Sequence, residues 1–174
     1  SLRDIWRWRR TSHPAQWPAC VPVTPVVPEK RVDNLRITMV GHATTLIQVA
    51  GLNILTDPVW SKRASPLSFV GPKRVAAPGI NFEDLPPVDA IFISHNHYDH
   101  LDLETLGRLQ AAYQPLVITP LGSDTIIKKA IPCARVLSGD WHQSLVISQA
   151  LRVTLTPDCH WSARGLFDRR MALW

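Results

Sequence analysis

The chain has 174 residues, of which 45% are hydrophobic and 19% are charged, and its formal net charge is +5. This composition is typical of a globular domain with a hydrophobic core, and it excludes a chain that is disordered throughout. No hydrophobic run approaches the ~20 residues that a membrane-spanning helix needs. The three widely separated cysteines argue against a disulfide scaffold and fit a reducing compartment, so we expect a cytoplasmic protein.

Residues 1–34 are predicted to form an extended arm that wraps around the domain. Within the arm, PACVPVTPVVPEK contains four prolines, which exclude both a helix and a central strand. Trp6, Trp8 and Trp17 are expected to pack on the domain, with contact to lipid as the alternative. Five arginines could attract anionic lipid or nucleic acid, although a solvated tail is the simpler expectation: Arg3, Arg7, Arg9, Arg10 and Arg31.

Residues 35–174 show the hydrophobic pattern of a mixed α/β domain. The strands LRITMV, TTLIQV and LNILTD come first, and the last two are expected to form a hairpin around Ala50 and Gly51. A long proline-rich loop covers residues 58–87, and VDAIFIS after it is predicted to be a buried strand. Helices are predicted after Asp102, the expected N-cap, and over GSDTIIKKAI. The remaining predicted strands are PLVITP, ARVL, SLVIS and LRVTLTP.

The stretch SHNHYDHLD places three histidines and an aspartate directly after a predicted strand. In extended backbone, residues i and i+2 point the same way, so His95 and His97 can reach one metal ion. Asp99 and His100 follow where the chain turns into the helix, and they can face a second ion. Imidazole and carboxylate suit Zn²⁺ and similar cations, and two ions ~3.5–4 Å apart can share a hydroxide that attacks a phosphoryl or acyl group. The pattern therefore predicts a hydrolytic metal centre.

A family resemblance is carried by three blocks, GHATTLIQVAGLNILTDPVWSKRASP, SHNHYDHLDLETL and HWSARGLFDRRMALW, which occur in the family's order. They resemble the metallo-β-lactamase-fold hydrolases, and most of all the branch with N-acyl-phosphatidylethanolamine phospholipase D and its bacterial relatives. The ascorbate-6-phosphate lactonase branch is a more distant likeness. The resemblance covers residues 35–174, and it implies an αββα sandwich with two zinc ions at one edge. Mn²⁺ or iron could stand in place of zinc.

Carried over residue by residue, the resemblance assigns His95, His97 and His160 to the first ion, and Asp99 and His100 to the second. Asp99 would also orient the attacking hydroxide. The family needs two more ligands, a bridging aspartate and a last histidine, but no His or Asp follows Asp168. We therefore expect the chain to be the N-terminal half, or somewhat more, of the sandwich. A further segment or a second chain would then supply the missing ligands.

Four residues near these blocks have two interpretations each. Asp57 is expected either to orient a metal-bound imidazole or to cap the turn before Pro58. His42 is expected to be structural, with a position beside the site as the alternative. Arg164 and Arg169 could bind a substrate phosphate or lie in solvent. The sequence assigns no other substrate-binding residue.

The sequence as a whole predicts a zinc-dependent hydrolase of a phosphodiester such as a phospholipid, with peripheral membrane contact through the arm. A lactone or another small molecule is the alternative substrate. A nuclease is disfavoured despite the pI of about 9.5, because the positive charge is concentrated in the arm and no RNA-binding module is visible. We therefore expect no nucleic-acid partner. The non-enzymatic alternative is an inactive fragment that needs a C-terminal partner chain.

Overall fold

The structure is a computed structural model that describes residues 2–13, 16 and 18–174. Its centre is a six-stranded sheet whose strands follow one another in chain order: β1 Arg36–Gly41, β2 Thr44–Val49, β3 Leu52–Thr56, β4 Ala90–Phe92, β5 Leu116–Pro120 and β6 Arg135–Gly139. A two-stranded ribbon follows, formed by β7 Ser144–Val146 and β8 Arg152–Thr154. The helices are α1 Leu2–Thr11, α2 Leu103–Tyr113 and α3 Ser123–Ala130, with a 3₁₀ turn at Phe82–Asp84. Every strand predicted from residue 35 onward is present.

The strand directions bring several strand ends to one side of the sheet. β1, β2 and β3 pair antiparallel, whereas β3, β4, β5 and β6 pair parallel. The predicted β2–β3 hairpin is confirmed, and Ala50 and Gly51 both take the positive φ that a tight two-residue turn requires. Because β1 runs in the same direction as β3, the chain leaves the sheet on one side after β1, β3, β4 and β5. We call this side the carboxyl edge.

The hydrophobic core lies between one face of the sheet and α2. Leu46, Leu55 and Ile91 from the strands are fully buried, as are Leu106 and Leu109 from the helix. The helix begins where predicted, because the Asp102 carboxylate accepts the N–H of Thr105 at 3.2 Å. The same carboxylate accepts the N–H of Ser61 at 3.0 Å, which fixes the start of the long loop to the helix.

The opposite face of the sheet is only partly covered. Ile37 and Met39 of β1 are exposed on the sheet. Farther along, residues of β8 lie across a cavity of about 280 Å³ from Phe92 and Ile118. Helices α2 and α3 therefore pack on one face, and the β7–β8 ribbon begins a layer on the other.

The prediction of an extended arm is wrong for its first part, which forms α1. The segment LRDIWRWRRT contains neither proline nor glycine, and Asp4 in the first turn and Arg9 and Arg10 in the last turn complement the helix dipole. The proline-rich part is extended, and it lies along the domain through Val21 N–H to Val75 O at 2.7 Å and Val26 N–H to Gly79 O at 2.8 Å.

The expected packing of the arm's tryptophans is wrong for two of the three. Trp6 and Trp8 are 60% and 65% exposed on α1, and Trp17 lies outside the described residues. Within the ranges that the structure describes, no helix combines the length and the hydrophobicity needed to cross a membrane.

Candidate metal centre

The candidate site residues meet at the carboxyl edge because three strands end there. His42 follows β1, Asp57 follows β3, and the segment His95–His100 follows β4. The His97 carbonyl accepts the N–H groups of His100 at 3.1 Å and Leu101 at 2.8 Å. This turn brings the second half of the segment back toward the sheet before α2 begins.

The first cluster consists of the three histidines assigned to one ion. His95 Nε2 lies 2.9 Å from His97 Nδ1, and His160 Nε2 lies 3.2 Å from His95 Nε2 and 3.3 Å from His97 Nδ1. A neutral imidazole has only one N–H, so three rings cannot satisfy one another by hydrogen bonds at all three contacts. Three nitrogens at ~2.0–2.1 Å from one tetrahedral Zn²⁺ would stand about 3.3 Å apart. The donor set therefore fits a zinc ion.

Burial keeps two of these rings in the form that binds metal. Burial, together with the neighbouring rings of His100, His97 and His160, lowers the pKa of His95 to about 4. Burial and the His160 ring also lower the pKa of His97. A metal ligand must present a lone pair, so rings that stay neutral at neutral pH are ready to bind.

The second cluster consists of Asp99, His100 and His42. Asp99 Oδ2 lies 2.9 Å from His42 Nε2 and 3.6 Å from His100 Nε2. The three ligand atoms all lie within 4.8 Å of one another. Of the two expectations for His42, the structure shows the position beside the site, because β1 runs parallel to β3 and so brings His42 to the same edge. Burial acts to raise the pKa of Asp99, but the Asp99 backbone N–H and the nearby His100 and His42 outweigh burial and lower it.

Asp57 connects the two clusters through hydrogen bonds. Its carboxylate is 5% exposed, and it accepts the N–H and the O–H of Ser94, both at 2.7 Å. It also lies 2.8 Å from Nδ1 of His100. The Ser94 hydroxyl in turn lies 2.9 Å from Nδ1 of His95. With protons on both Nδ1 atoms, His95 and His100 turn lone pairs on Nε2 toward their clusters.

These contacts place Asp57 where it could orient the imidazoles, the first of its two predicted alternatives, and that role stays a prediction. The pKa of His100 reflects this contact: burial acts to lower it, but the hydrogen bond and charge of Asp57 outweigh burial and raise it. Ser94 was not among the predicted site residues. Its position directly before His95, at the end of a strand, was the available signal.

Arg164 ties the segment that carries His160 to the segment His95–His100. Its Nη1 donates to the carbonyls of Asn96 at 3.0 Å and Leu101 at 2.8 Å. The guanidinium lies 4.0 Å from the centre of the Tyr98 ring, and the Tyr98 hydroxyl donates to the Arg164 carbonyl at 3.0 Å. The half-buried position of Arg164 does not fit the solvated alternative, and contact with a substrate phosphate stays a prediction. Arg169 is exposed over Trp161 and fits the solvated alternative.

The end of the same segment is fixed to the sheet after β5. Leu173 N–H donates to the Leu121 carbonyl at 2.9 Å, and Ala172 N–H donates to the Ser162 hydroxyl at 3.3 Å. Gly122 has a φ of +92°, and a Cβ placed there would lie 2.7 Å from the Cα of Ala172. The position of His160 thus depends on contacts made by the residues that follow it in the chain.

A cavity of about 700 Å³ borders the segment His95–His100. Its wall includes Tyr98 and Arg164 and three further cations, Lys62, Arg63 and Arg108. Among the residues described, none of the candidate metal ligands lines this cavity. This cavity is therefore separate from the two clusters of candidate metal ligands.

Comparison with known proteins defines the class. Residues 52–174 match the model of a family described as the beta-lactamase superfamily domain. The chain belongs to this family. Its helix layer, six-stranded sheet and partial second layer correspond to part of the predicted αββα sandwich.

Individual relatives are more specific. The chain is 38% identical over 165 residues to an uncharacterized protein of Mycobacterium tuberculosis, covering 93% of this chain and 44% of that one. It is 36% identical over 149 residues to N-acyl-phosphatidylethanolamine-hydrolyzing phospholipase D 1 of Caenorhabditis elegans, covering 81% of this chain and 42% of the relative. The chain thus spans less than half the length of these relatives.

A solved structure agrees with the fold. A metallo hydrolase from the archaeon Ignicoccus hospitalis superposes with a TM-score of 0.52 at 20% identity, covering 74% of this chain and 50% of that protein. At this identity the likeness concerns the fold alone.

Proposed function

We propose that the protein is a zinc-dependent hydrolase and that its substrate is a phosphodiester of the phospholipid type. The observation that carries this proposal is the convergence of three imidazole nitrogens, from His95, His97 and His160, at contacts of 2.9–3.3 Å. A second cluster of ligand-type atoms lies beside the first at the same edge. Mn²⁺ or iron would suit the same donor atoms less well than zinc does in an all-histidine cluster.

The residues of the chain divide the chemistry between them. His95, His97 and His160 would hold the first ion, and Asp99 and His100 would contribute to the second. Bound zinc supplies a Lewis acid for a phosphoryl oxygen and acidifies water at neutral pH. The lowered pKa of Asp99 keeps its carboxylate ionised, so Asp99 can accept a hydrogen bond from the attacking water and orient it. Asp57 keeps the imidazoles of His95 and His100 in the tautomer that faces the ions.

The phospholipid substrate is supported by two independent features. The Caenorhabditis elegans relative is named as a phospholipase D that hydrolyses N-acyl-phosphatidylethanolamine. In this chain, α1 exposes Ile5, Trp6 and Trp8 among four arginines. Tryptophan and arginine on one exposed helix suit the boundary between lipid headgroups and acyl chains. Peripheral contact of α1 with an anionic membrane is therefore part of the proposal.

The test compares substrates and metal content in one set of proteins. The zinc content of the chain is measured by elemental analysis, and hydrolysis is assayed on N-acyl-phosphatidylethanolamine vesicles and on a sugar lactone. We expect bound zinc and cleavage of the phosphodiester, detected as loss of N-acyl-phosphatidylethanolamine from the vesicles. The variant His97→Ala should bind less zinc and lose hydrolysis, whereas His13→Ala, a matched change at an exposed histidine in the arm, should retain both in full.

Each other outcome has a definite meaning. Turnover of the lactone without turnover of the phospholipid would replace the proposed substrate class. Zinc without turnover of either substrate would mean that catalysis needs a C-terminal partner chain or segment. A zinc content that His97→Ala leaves unchanged would refute the metal centre itself.

A further inference from the structure

We propose that His42 is a metal ligand and that it completes a second metal site, with Asp99 and His100, within this chain. Among the residues of this chain, the family resemblance assigns only Asp99 and His100 to the second ion, and it leaves His42 out. Two ligands make a poor site, whereas three protein ligands with an open position are typical of catalytic zinc. The inference deepens the proposed metal centre and rests on it.

The distances support a three-ligand site. Asp99 Oδ2 lies 2.9 Å from His42 Nε2 and 3.6 Å from His100 Nε2. Ligand atoms at ~2.0–2.2 Å from one tetrahedral ion stand about 3.3–3.6 Å apart, so one ion can reach all three with small side-chain movements. The rings of His42 and His100 meet edge to face at 5.2 Å between their centres, and the ligand atoms of the three residues all lie within 4.8 Å of one another.

The tautomers of His42 and His100 also permit a three-ligand site. Nδ1 of His100 is engaged by Asp57 at 2.8 Å, so Nε2 is available to an ion. His42 is exposed, and water can accept a proton on its Nδ1 while Nε2 binds metal. The two clusters share the segment His95–His100 but no ligand atom, so each site can be removed separately.

The backbone at His42 is a further sign of a special position. Its φ of 52° lies in the left-handed region, and it follows β1 in a tight connection to β2. Residues other than glycine adopt this region uncommonly, and such positions cluster at functional sites. The exposed ring nonetheless contacts Asp99 through Nε2 at 2.9 Å.

The test counts the ions bound by the 174-residue chain. Metal-free protein is titrated with Zn²⁺ against a chelator of known affinity, and with Co²⁺, whose visible absorption reports each site. The main variant is His42→Asn, because asparagine tolerates a positive φ and removes the imidazole. His97→Ala removes the first site, and His13→Ala is the matched control. Far-UV circular dichroism checks that each variant is folded.

We expect two ions for the wild-type chain and for His13→Ala. His42→Asn should retain the first ion and bind the second at least about 100-fold more weakly, since a lost ligand should cost no less than a lost outer contact. His97→Ala should retain only the second ion, and the double variant neither.

Two results would overturn the inference. One is a His42→Asn chain that binds two ions with wild-type affinity, in which case the imidazole only donates a hydrogen bond to Asp99. The other is a wild-type chain that binds a single ion, lost in His97→Ala; the proposed function would survive that result and the second site would not. A wild-type chain that binds no ion would refute both.

Discussion

Replacing Asp57 with asparagine tests how the buried carboxylate controls both clusters. Asparagine has nearly the same shape, and it tolerates the left-handed backbone of Asp57, whose φ is 36°. The change therefore leaves packing and backbone in place. It removes the charge and turns one acceptor oxygen into an N–H₂ donor.

The hydrogen bonds determine the size of the effect. Asp57 Oδ1 accepts the Ser94 N–H at 2.7 Å and can be kept as the amide oxygen. The amide nitrogen then replaces Oδ2, which contacts the Ser94 hydroxyl and Nδ1 of His100 at 2.7 and 2.8 Å. To accept from that nitrogen, His100 must move its proton to Nε2, the atom that faces the metal. Loss of an outer contact of this kind weakens metal binding about 10–100-fold, or about 1.4–2.8 kcal/mol.

The assay is zinc affinity measured by competition with a chelator, for the wild-type chain and Asp57→Asn. Asp33→Asn is the matched control, because Asp33 is exposed and contacts the β2–β3 turn, at the opposite end of these strands from both clusters. The control should bind zinc as the wild type does. Unchanged zinc affinity in a folded Asp57→Asn chain would show that the imidazole tautomers do not depend on this carboxylate.

Three further predictions concern other parts of the molecule. In the metal-free chain, the free energy of unfolding should fall by no more than about 3 kcal/mol as the pH drops from about 6.5 to about 4. The reason is that unfolded His95 takes up a proton in this range, whereas folded His95, with its pKa of about 4, does not. Urea titrations of the wild type and His95→Gln at several pH values check this, and the stability of the variant should depend less on pH. Arg164→Lys should weaken binding of the first zinc, because a lysine lacks the planar guanidinium that lies over the Tyr98 ring while Nη1 donates to the two carbonyls. A chelator titration with Arg169→Lys as control would contradict this if the two variants behaved alike. Trp6→Ala should reduce sedimentation of the chain with anionic vesicles and leave its zinc content unchanged. Equal sedimentation of the variant and the wild type would show that Trp6 of α1 does not contribute to membrane binding.

The parts of the fold that follow from local sequence were predicted well. The hydrophobic pattern predicted the strands, and Asp102 predicted the start of α2 because an N-cap acts on residues next to it. His95 and His97 were predicted to converge for the same reason: their spacing and the strand before them are visible in nine residues. Local rules were sufficient wherever the partners are neighbours in the chain.

The parts that were missed depend on distant segments. His42 joins the second cluster only because β1 and β3 run in the same direction, which no residue near His42 reveals. Arg164 binds backbone carbonyls, which carry no signal in a sequence. At α1 the prolines of the following segment dominated the interpretation of the whole arm, although LRDIWRWRRT itself has helix-compatible composition.

The close approach at Gly122 affects how mutational data on this protein would be interpreted. Any side chain there would meet Ala172 at 2.7 Å and displace the segment that begins with His160. A saturation screen for activity would therefore rank Gly122 alongside the histidines, although its nearest neighbours are Ala172 and Met171. Intolerance to substitution at this glycine would therefore reflect the packing that positions His160, and not a chemical role of residue 122. A zinc titration on a Gly122→Ala chain would distinguish the two.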